Sequence, residues 1–268
     1  MREARKQGGG RKFAPMFSGP FREGQEFYII AKEGTMENPK LRLTVRTIVQ
    51  VLVFVVLVPF LPLFISWSWD WWEAWVYALI GILGFVVSRV LAARRYPDLL
   101  AERAKFMQHE DIKPWDTLLA RLVGLGGALI PLFAGLDARY AWPGVDFSLL
   151  VELVALVLIL AGFAFSAWAL MENRFFSGVV RIQKERGHHV VSTGPYAWVR
   201  HPGYAGALLN YWLTPIFLDS LWTFIPVAFI SLVLLVRTDL EDRTLQKELP
   251  GYKEYAQKTR FRLLPGVW

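Results

Sequence analysis

The stretch HHVVSTGPYAWVRHPGYAG, from His188 to Gly206, holds three of the chain's four histidines, a Gly-Pro, two tyrosines and an arginine. Gly194 permits positive φ and Pro195 fixes the next φ near −65°, so STGPY is turn chemistry. Pro202 biases His201 toward extended backbone and suits the first turn of a following helix. Arg200 and His201 therefore precede a helix N-terminus, whose free N–H groups and dipole favour a bound anion. Tyr196 and Tyr204 add two phenol rings to the rim of such a pocket. The same residues also suit a simple break between two helices, with Tyr, Trp, Arg and His as headgroup anchors. His188 and His189, taken one at a time, read as solvent-facing.

A second run begins where the last apolar block ends: RTDLEDRTLQKELPGYKEYAQKTRFRLLPGVW, Arg237 to Trp268. Arg237, Glu241 and Glu248 share a helical face by i, i+4 spacing and near-period drift. Arg237 either snorkels to an interface or turns inward to an anion. Arg before Glu is the weaker i, i+4 orientation, so helix stabilisation is a poor reason for the pair. An exposed salt bridge is the plainer reading. Pro250-Gly251 ends the helix, and Tyr255–Trp268 reads as a basic-aromatic strip along a membrane surface.

The elements that must position these groups are apolar helices. Of 268 residues 54% are hydrophobic, 12 are Trp and the net charge is +7; mean hydropathy is +0.32. The apolar residues collect into nearly uncharged blocks, most of them about 17–24 long, enough to cross a core of roughly 30 Å. They predict spans near Val45–Ile65, Trp75–Leu91, Leu118–Leu136 and Leu149–Met171. Two shorter blocks follow, Ala205–Leu218 and Leu221–Val236, joined at Asp219-Ser220 as a tight helical hairpin. Their shortness leaves a five-span reading open beside six.

With six crossings the Lys/Arg-rich segments all fall on one face: the tail to Arg46, the loop with Arg94, Arg95 and Arg103, the loop with Arg181 and Arg186, and the C-terminal tail. That is the positive-inside pattern of a cytoplasmic face. WSWDWWEAW at Trp67–Trp75 is then an aromatic belt at the far interface. The absence of cysteine excludes a disulfide framework and a thiolate metal site, and fits a reducing compartment. Residues 1–40 read as a basic, disordered cytosolic arm, whose RKQGGGRK suits anionic lipid heads better than nucleic acid. The first span starts too late and is too long for a cleaved signal peptide.

The two motifs in this order, ending in RFRLLPGVW, resemble the isoprenylcysteine carboxyl methyltransferase family, in particular its bacterial and archaeal branch, which is related to phospholipid N-methyltransferases. The resemblance covers about residues 173–268; residues 41–172 supply spans without an assignable motif. It implies an all-α polytopic membrane bundle with a cytoplasmic-face cofactor pocket in its C-terminal third. It also implies methyl transfer from S-adenosylmethionine to a lipophilic acceptor, a small molecule or a prenylated substrate reached from the membrane lipids. By similarity the cofactor is held by His188, the backbone at Val190 and Val191, Gly194, Tyr196, His201 and Tyr204. Glu241 and Asp242 close from the last helix, where the family usually has Glu-Glu. Arg237 and Glu241 are the catalytic candidates, Arg237 orienting the acceptor. No metal is suggested.

Physics agrees with such a meeting place. A water-soluble sulfonium donor and a greasy acceptor can meet only at an interface. The helix N-terminus suits the donor's carboxylate, and tyrosine faces suit a sulfonium, at about 0.5–2 kcal/mol. Two other readings remain: an NADPH-dependent membrane reductase and a non-catalytic scaffold. In sterol and steroid reductases the similar element reads RHPNY and continues with an acidic residue, whereas Gly203 and Ala205-Gly206 stand here.

Overall fold

The computed structural model describes residues 49, 52–104 and 108–268. The arm expected over residues 1–40 and most of the first part of the first span lie outside these. Among the described residues all regular structure is helical, in a polytopic membrane bundle. Helix α1 (Leu52–Ser66) is short and irregular. It runs from a π-turn through a 3-10 turn into an α-turn, because Pro59 and Pro62 withhold N–H donors. Next come α2 (Trp72–Arg95), α3 (Pro97–Ala104), α4 (Pro114–Tyr140) and α5 (Leu149–Glu172). After a long connection follow α6 (Pro202–Phe217), α7 (Phe224–Glu248) and α8 (Tyr252–Lys258).

Helices α2, α4, α5 and α7, the last with its leading turn from Leu221, are long and apolar enough to cross a membrane. Helix α6 has 16 residues, about 24 Å at 1.5 Å per residue, short of a perpendicular crossing. Helix α7 runs well past the apolar block that ends at Val236, so its last turns form a polar rod below the bundle.

Because the helices alternate in direction, the connections sort to two ends. One end collects Trp67–Trp71, the loop after Tyr140 and the α6–α7 turn; Arg139 Nη1 donates there to Ile65 O (3.1 Å). Its tryptophans pack edge-on, with ring centroids 5.9 Å apart for Trp67–Trp69 and 5.6 Å for Trp142–Trp222. In the hairpin turn Asp219 sits at φ 49° and its Oδ1 accepts from Phe147 N–H (2.9 Å). The other end carries the basic loops and both chemical motifs.

What sets the motif's position is the α5–α6 contact. A Cβ on Gly206 would lie 2.7 Å from Gly162 O, so small residues let the two backbones nearly touch, as in other tightly packed membrane helices. Ser166 Oγ donates across the same contact to Gly203 O (3.3 Å). The first turn of α6 is thereby pinned to the basic end of α5. The C-terminal segment, expected along a membrane surface, is tied to the motif: Arg200 and His201 donate their N–H groups to Phe261 O (3.0 Å) and Arg262 O (2.9 Å).

Candidate active site

The loop from Asn173 to His201 forms the site's frame. Gln183 Nε2 donates to Phe175 O (2.8 Å), and Val180 N–H donates to Asp116 Oδ2 (2.6 Å) at the start of α4. These bonds fold the loop back on itself and clamp it to the bundle. His188 stacks at a tilt on Phe175, centroids 4.5 Å apart. Burial, with His189 and Arg181 beside it, pulls the His188 imidazole down to about 4. The neutral ring accepts Gln183 N–H at Nδ1 (3.3 Å) and so carries its proton on Nε2.

Gly194 adopts φ 57° and opens a 3-10 turn, Gly194–Ala197, a conformation that any Cβ would strain. The turn places Tyr196 under α5, its hydroxyl donating to Ala169 O (3.3 Å) and accepting from Asn173 Nδ2 (3.2 Å). Burial pushes this phenol above its usual range, so it stays protonated. Tyr255 Oη donates to Tyr196 O (2.7 Å) and fastens α8 over the turn.

His201 caps α6 and its ring lies parallel to Tyr204, centroids 5.8 Å apart and 3° between planes. Tyr204 Oη donates to Glu241 Oε2 (2.7 Å), which ties α6 to α7 across the cleft. His201 Nε2 is buried, 3.5 Å from Asp242 Oδ1 and with no closer hydrogen-bond partner.

The structure brings His188, Val190 and Val191 to one wall of a cleft, Tyr196, His201 and Tyr204 to a second, and Glu241 to a third. Its empty volume, counting space open to solvent, is about 820 Å³. Three other expected residues, Gly194, Asp242 and Arg237, lie outside this lining. Gly194 shapes the turn from outside the lining, against Glu172 and Trp168. Asp242 is 0% exposed. Its oxygens accept from Arg200 Nε and Nη2 (2.7 and 2.9 Å), Arg262 Nε (3.0 Å), Tyr252 Oη (3.0 Å) and Gln246 Nε2 (2.8 Å). With that many donors it is a structural hub rather than a lid on the cleft. Arg200 does line the cleft, but its guanidinium is taken up by this hub and by Thr259 O (2.8 Å) and Arg260 O (2.7 Å).

Arg237 turns inward, as one of its two sequence readings has it, but the anion it meets is the protein's own. Its Nε and Nη2 pair with Asp116 (2.7 and 3.1 Å), and Nη2 also donates to Gly178 O (2.8 Å). Its Cζ lies 5.5 Å from the Tyr204 ring centroid, just behind the cleft wall. The shared face of Arg237, Glu241 and Glu248 is used, though not by pairing among the three: Glu248 holds Lys113 (2.7 Å) and Glu241 holds Tyr204. Asp116 went unnoticed in the sequence; an inward Arg at a span end, which must find a carboxylate, was its only signal. Leu245, Leu249, Tyr252 and Tyr255, which close the cleft opposite the motif, carry no sequence signal beyond ordinary core spacing.

Behind the cleft lies a second, mainly apolar space of about 1440 Å³, again counting open volume, between α1, α2, α5 and α6. Phe176 and Gly203 line both spaces. A Cβ on Gly203 would lie 2.7 Å from the Phe176 ring, so one aromatic side chain packed on a glycine separates them.

Residues 153–247 match the isoprenylcysteine carboxyl methyltransferase (ICMT) family. The match takes in 95 of the chain's 268 residues. Two rice proteins, from Oryza sativa subsp. indica and subsp. japonica, each described as a probable protein-S-isoprenylcysteine O-methyltransferase, are 29% identical to it over 116 residues. The match takes in 40% of this chain and 58% of theirs. An uncharacterized Bacillus subtilis (strain 168) protein, YpbQ, is 37% identical over 62 residues, 23% of this chain and 37% of its own. The chain thus spans less than two thirds of the length of these relatives. The matched segment contains the His188–Tyr204 motif, Arg237 and Glu241; α8, Asp116 and all of α2 lie outside it.

Proposed function

We propose that this protein is an integral membrane methyltransferase that uses S-adenosylmethionine to methylate a lipophilic acceptor, with its cleft and termini on the cytoplasmic side. The observation that carries this reading is the shared wall: a polar, aromatic cleft and an apolar space within the membrane region meet at Phe176 and Gly203. The cleft's donor set fits the cofactor. Glu241 can take ribose hydroxyls or an ammonium, His188 offers an Nε2–H, the buried His201 Nε2 is nearly free, and the Tyr204 face suits a sulfonium. Bound there, S-adenosylmethionine would supply a methyl group already activated for in-line transfer. The residues' work is then positioning and drying. Glu241 fixes the Tyr204 ring, Tyr196 and Tyr255 close the loop over the cleft, and Phe176 keeps water in the cleft from the apolar space. Arg237, held by Asp116 behind Tyr204, stiffens the wall nearest the acceptor. The basic loops at this end support the cytoplasmic assignment. None of the matches above favours the NADPH-reductase reading.

The test is ligand binding to purified full-length protein in nanodiscs. S-Adenosylhomocysteine should raise the melting temperature and NADPH should not, since only a native-state ligand stabilises. Glu241→Gln should weaken S-adenosylhomocysteine about tenfold, the loss of one charge-assisted hydrogen bond. Stabilisation by NADPH alone would overturn the proposal. A labelled-methyl assay on total lipid then identifies the acceptor.

A further inference from the structure

Several polar side chains that line the apolar space spend their hydrogen bonds on the bundle itself. Ser88 Oγ donates to Phe85 O (2.9 Å), Ser166 Oγ to Gly203 O (3.3 Å) and Thr214 Oγ1 to Asn210 O (2.8 Å). Three others do not. The Tyr77 and Tyr211 hydroxyls and the Asn210 side-chain amide line the same space and form no hydrogen bond among the described residues. Asn210 is 9% exposed, and its Oδ1 is buried at the α5–α6 seam, where a Cβ on Gly162 would collide with it. With Oδ1 turned to the seam, the Nδ2 donor is left for the cavity. A buried phenol or amide ordinarily finds a partner.

The three groups lie away from the cleft. Asn210 and Tyr211 follow Gly203 on α6, about 10–12 Å farther from the partition at 1.5 Å per residue. Tyr77 reaches the cavity from the opposite end of the bundle, in the second turn of α2. Along α5 and α6 the wall between them and Phe176 is hydrocarbon or already hydrogen-bonded: Phe163, Ser166, Ala167, Leu170 and Ala207. A plain alkyl or prenyl chain in this space would cover the three polar groups without bonding them, the costly arrangement for buried polar atoms.

We infer that Tyr77, Asn210 and Tyr211 form a polar shelf that binds an uncharged oxygen function, a hydroxyl or a carbonyl, carried in the acceptor's chain about 10 Å beyond its reacting end. Two phenols and an amide supply donors to such an oxygen, and the phenol oxygens accept from a hydroxyl. None of the three is an ion, so the shelf calls for none. It concerns the chain beyond the reacting head, whatever that head is, and selects oxygenated long chains over plain hydrocarbon ones, as a site built to hydrogen-bond a ligand rejects the analogue that cannot. It rests on the methyltransferase reading only for calling the ligand the acceptor. Asn210 and Tyr211 lie within the matched segment and Tyr77 outside it, so α2 completes a site that the family match does not cover.

The experiment compares ricinoleyl alcohol, which has a mid-chain hydroxyl, with oleyl alcohol, which lacks it, and with batyl alcohol, whose extra hydroxyl sits at the head. Binding to full-length protein in nanodiscs is read by displacement of a spin-labelled stearyl alcohol, with each ligand at known mole fraction in the bilayer. S-Adenosylhomocysteine affinity is measured on the same samples. Ricinoleyl alcohol should bind about tenfold more tightly than either of the others, the scale of one buried hydrogen bond. Tyr77→Phe and Tyr211→Phe each remove one oxygen and should reduce that preference. The double variant, and separately Asn210→Leu, should erase most of it without weakening oleyl alcohol. Unchanged S-adenosylhomocysteine affinity shows that each variant is folded; if Asn210→Leu does not fold against Gly162, the tyrosine variants decide alone. Equal binding of ricinoleyl and oleyl alcohols, an equal gain from batyl alcohol, or a preference that survives intact in the double tyrosine variant would each overturn the inference. If S-adenosylhomocysteine fails to bind the wild type while the mid-chain preference tracks the tyrosines, the shelf stands and the methyltransferase reading falls.

Discussion

At the scale of residues the site divides its carboxylates by task, and the division can be measured. Asp242 satisfies two arginines and a tyrosine at 0% exposure, whereas its neighbour Glu241 faces the cleft. Asp242→Ala should destabilise the protein by about 3–5 kcal/mol, because it strands Arg200 and Arg262 without their anion. Glu241→Ala should leave thermal unfolding in detergent within about 1 kcal/mol of wild type. His188 provides a pH signature. Its folded pKa, about 4, lies below the ordinary histidine value of 6.5. The unfolded chain therefore binds more protons as pH falls between these values, and stability contributed by the neutral ring is present above 6.5 and lost toward 4. A wild-type melting curve should fall across that window, by up to about 3 kcal/mol for this group. The fall should be shallower in His188→Phe.

Elements enter through how closely they can approach. The α5–α6 contact depends on Gly162 and Gly206, and through Ser166 and Gly203 it fixes where the motif's first helical turn lies. Gly206→Val should force the helices apart at a cost of about 1–3 kcal/mol. It should also weaken S-adenosylhomocysteine binding, although residue 206 does not line the cleft; unchanged binding beside a lowered melting temperature would break that link. The partition is a second element-level device. The loop holding Phe176 is clamped by Asp116, and its ring closes on α6 only because position 203 lacks a side chain. Phe176→Ala should join the two spaces and let water from the cleft into the apolar one; on the methyltransferase reading kcat should fall about tenfold or more, the scale of lost orientation in a positioned site. S-Adenosylhomocysteine affinity should change far less.

Among the described residues, the alternating helices gather the basic loops and the cleft at one end and the tryptophan-rich turns at the other. Because the chain has no cysteine, single substitutions report sidedness directly. In intact cells Ser68→Cys should react with a membrane-impermeant maleimide, and Lys184→Cys only after permeabilisation, as the positive-inside pattern requires. Reaction of Lys184→Cys in intact cells would reverse the orientation and place the cleft outside.

Length, apolar patterning and Lys/Arg asymmetry were enough to give an all-helical membrane bundle, the approximate spans and the placement of both polar motifs at one end. These follow from local composition and the thickness of a bilayer, which act on each segment separately. Turn chemistry and a helix start, written in adjacent residues, gave the frame from Gly194 to Tyr204, while His188 and Glu241 were pointed to only by the family resemblance. Only tertiary structure decided that Asp242 is a hub, that Arg237 answers to Asp116 121 positions earlier, and that Gly194 shapes the turn from outside the cleft. It alone revealed the apolar space beside the cleft. Pairings of that range depend on which helices become neighbours, and that choice is made by close packing between faces, such as Gly162 on Gly206, rather than by any segment's own period.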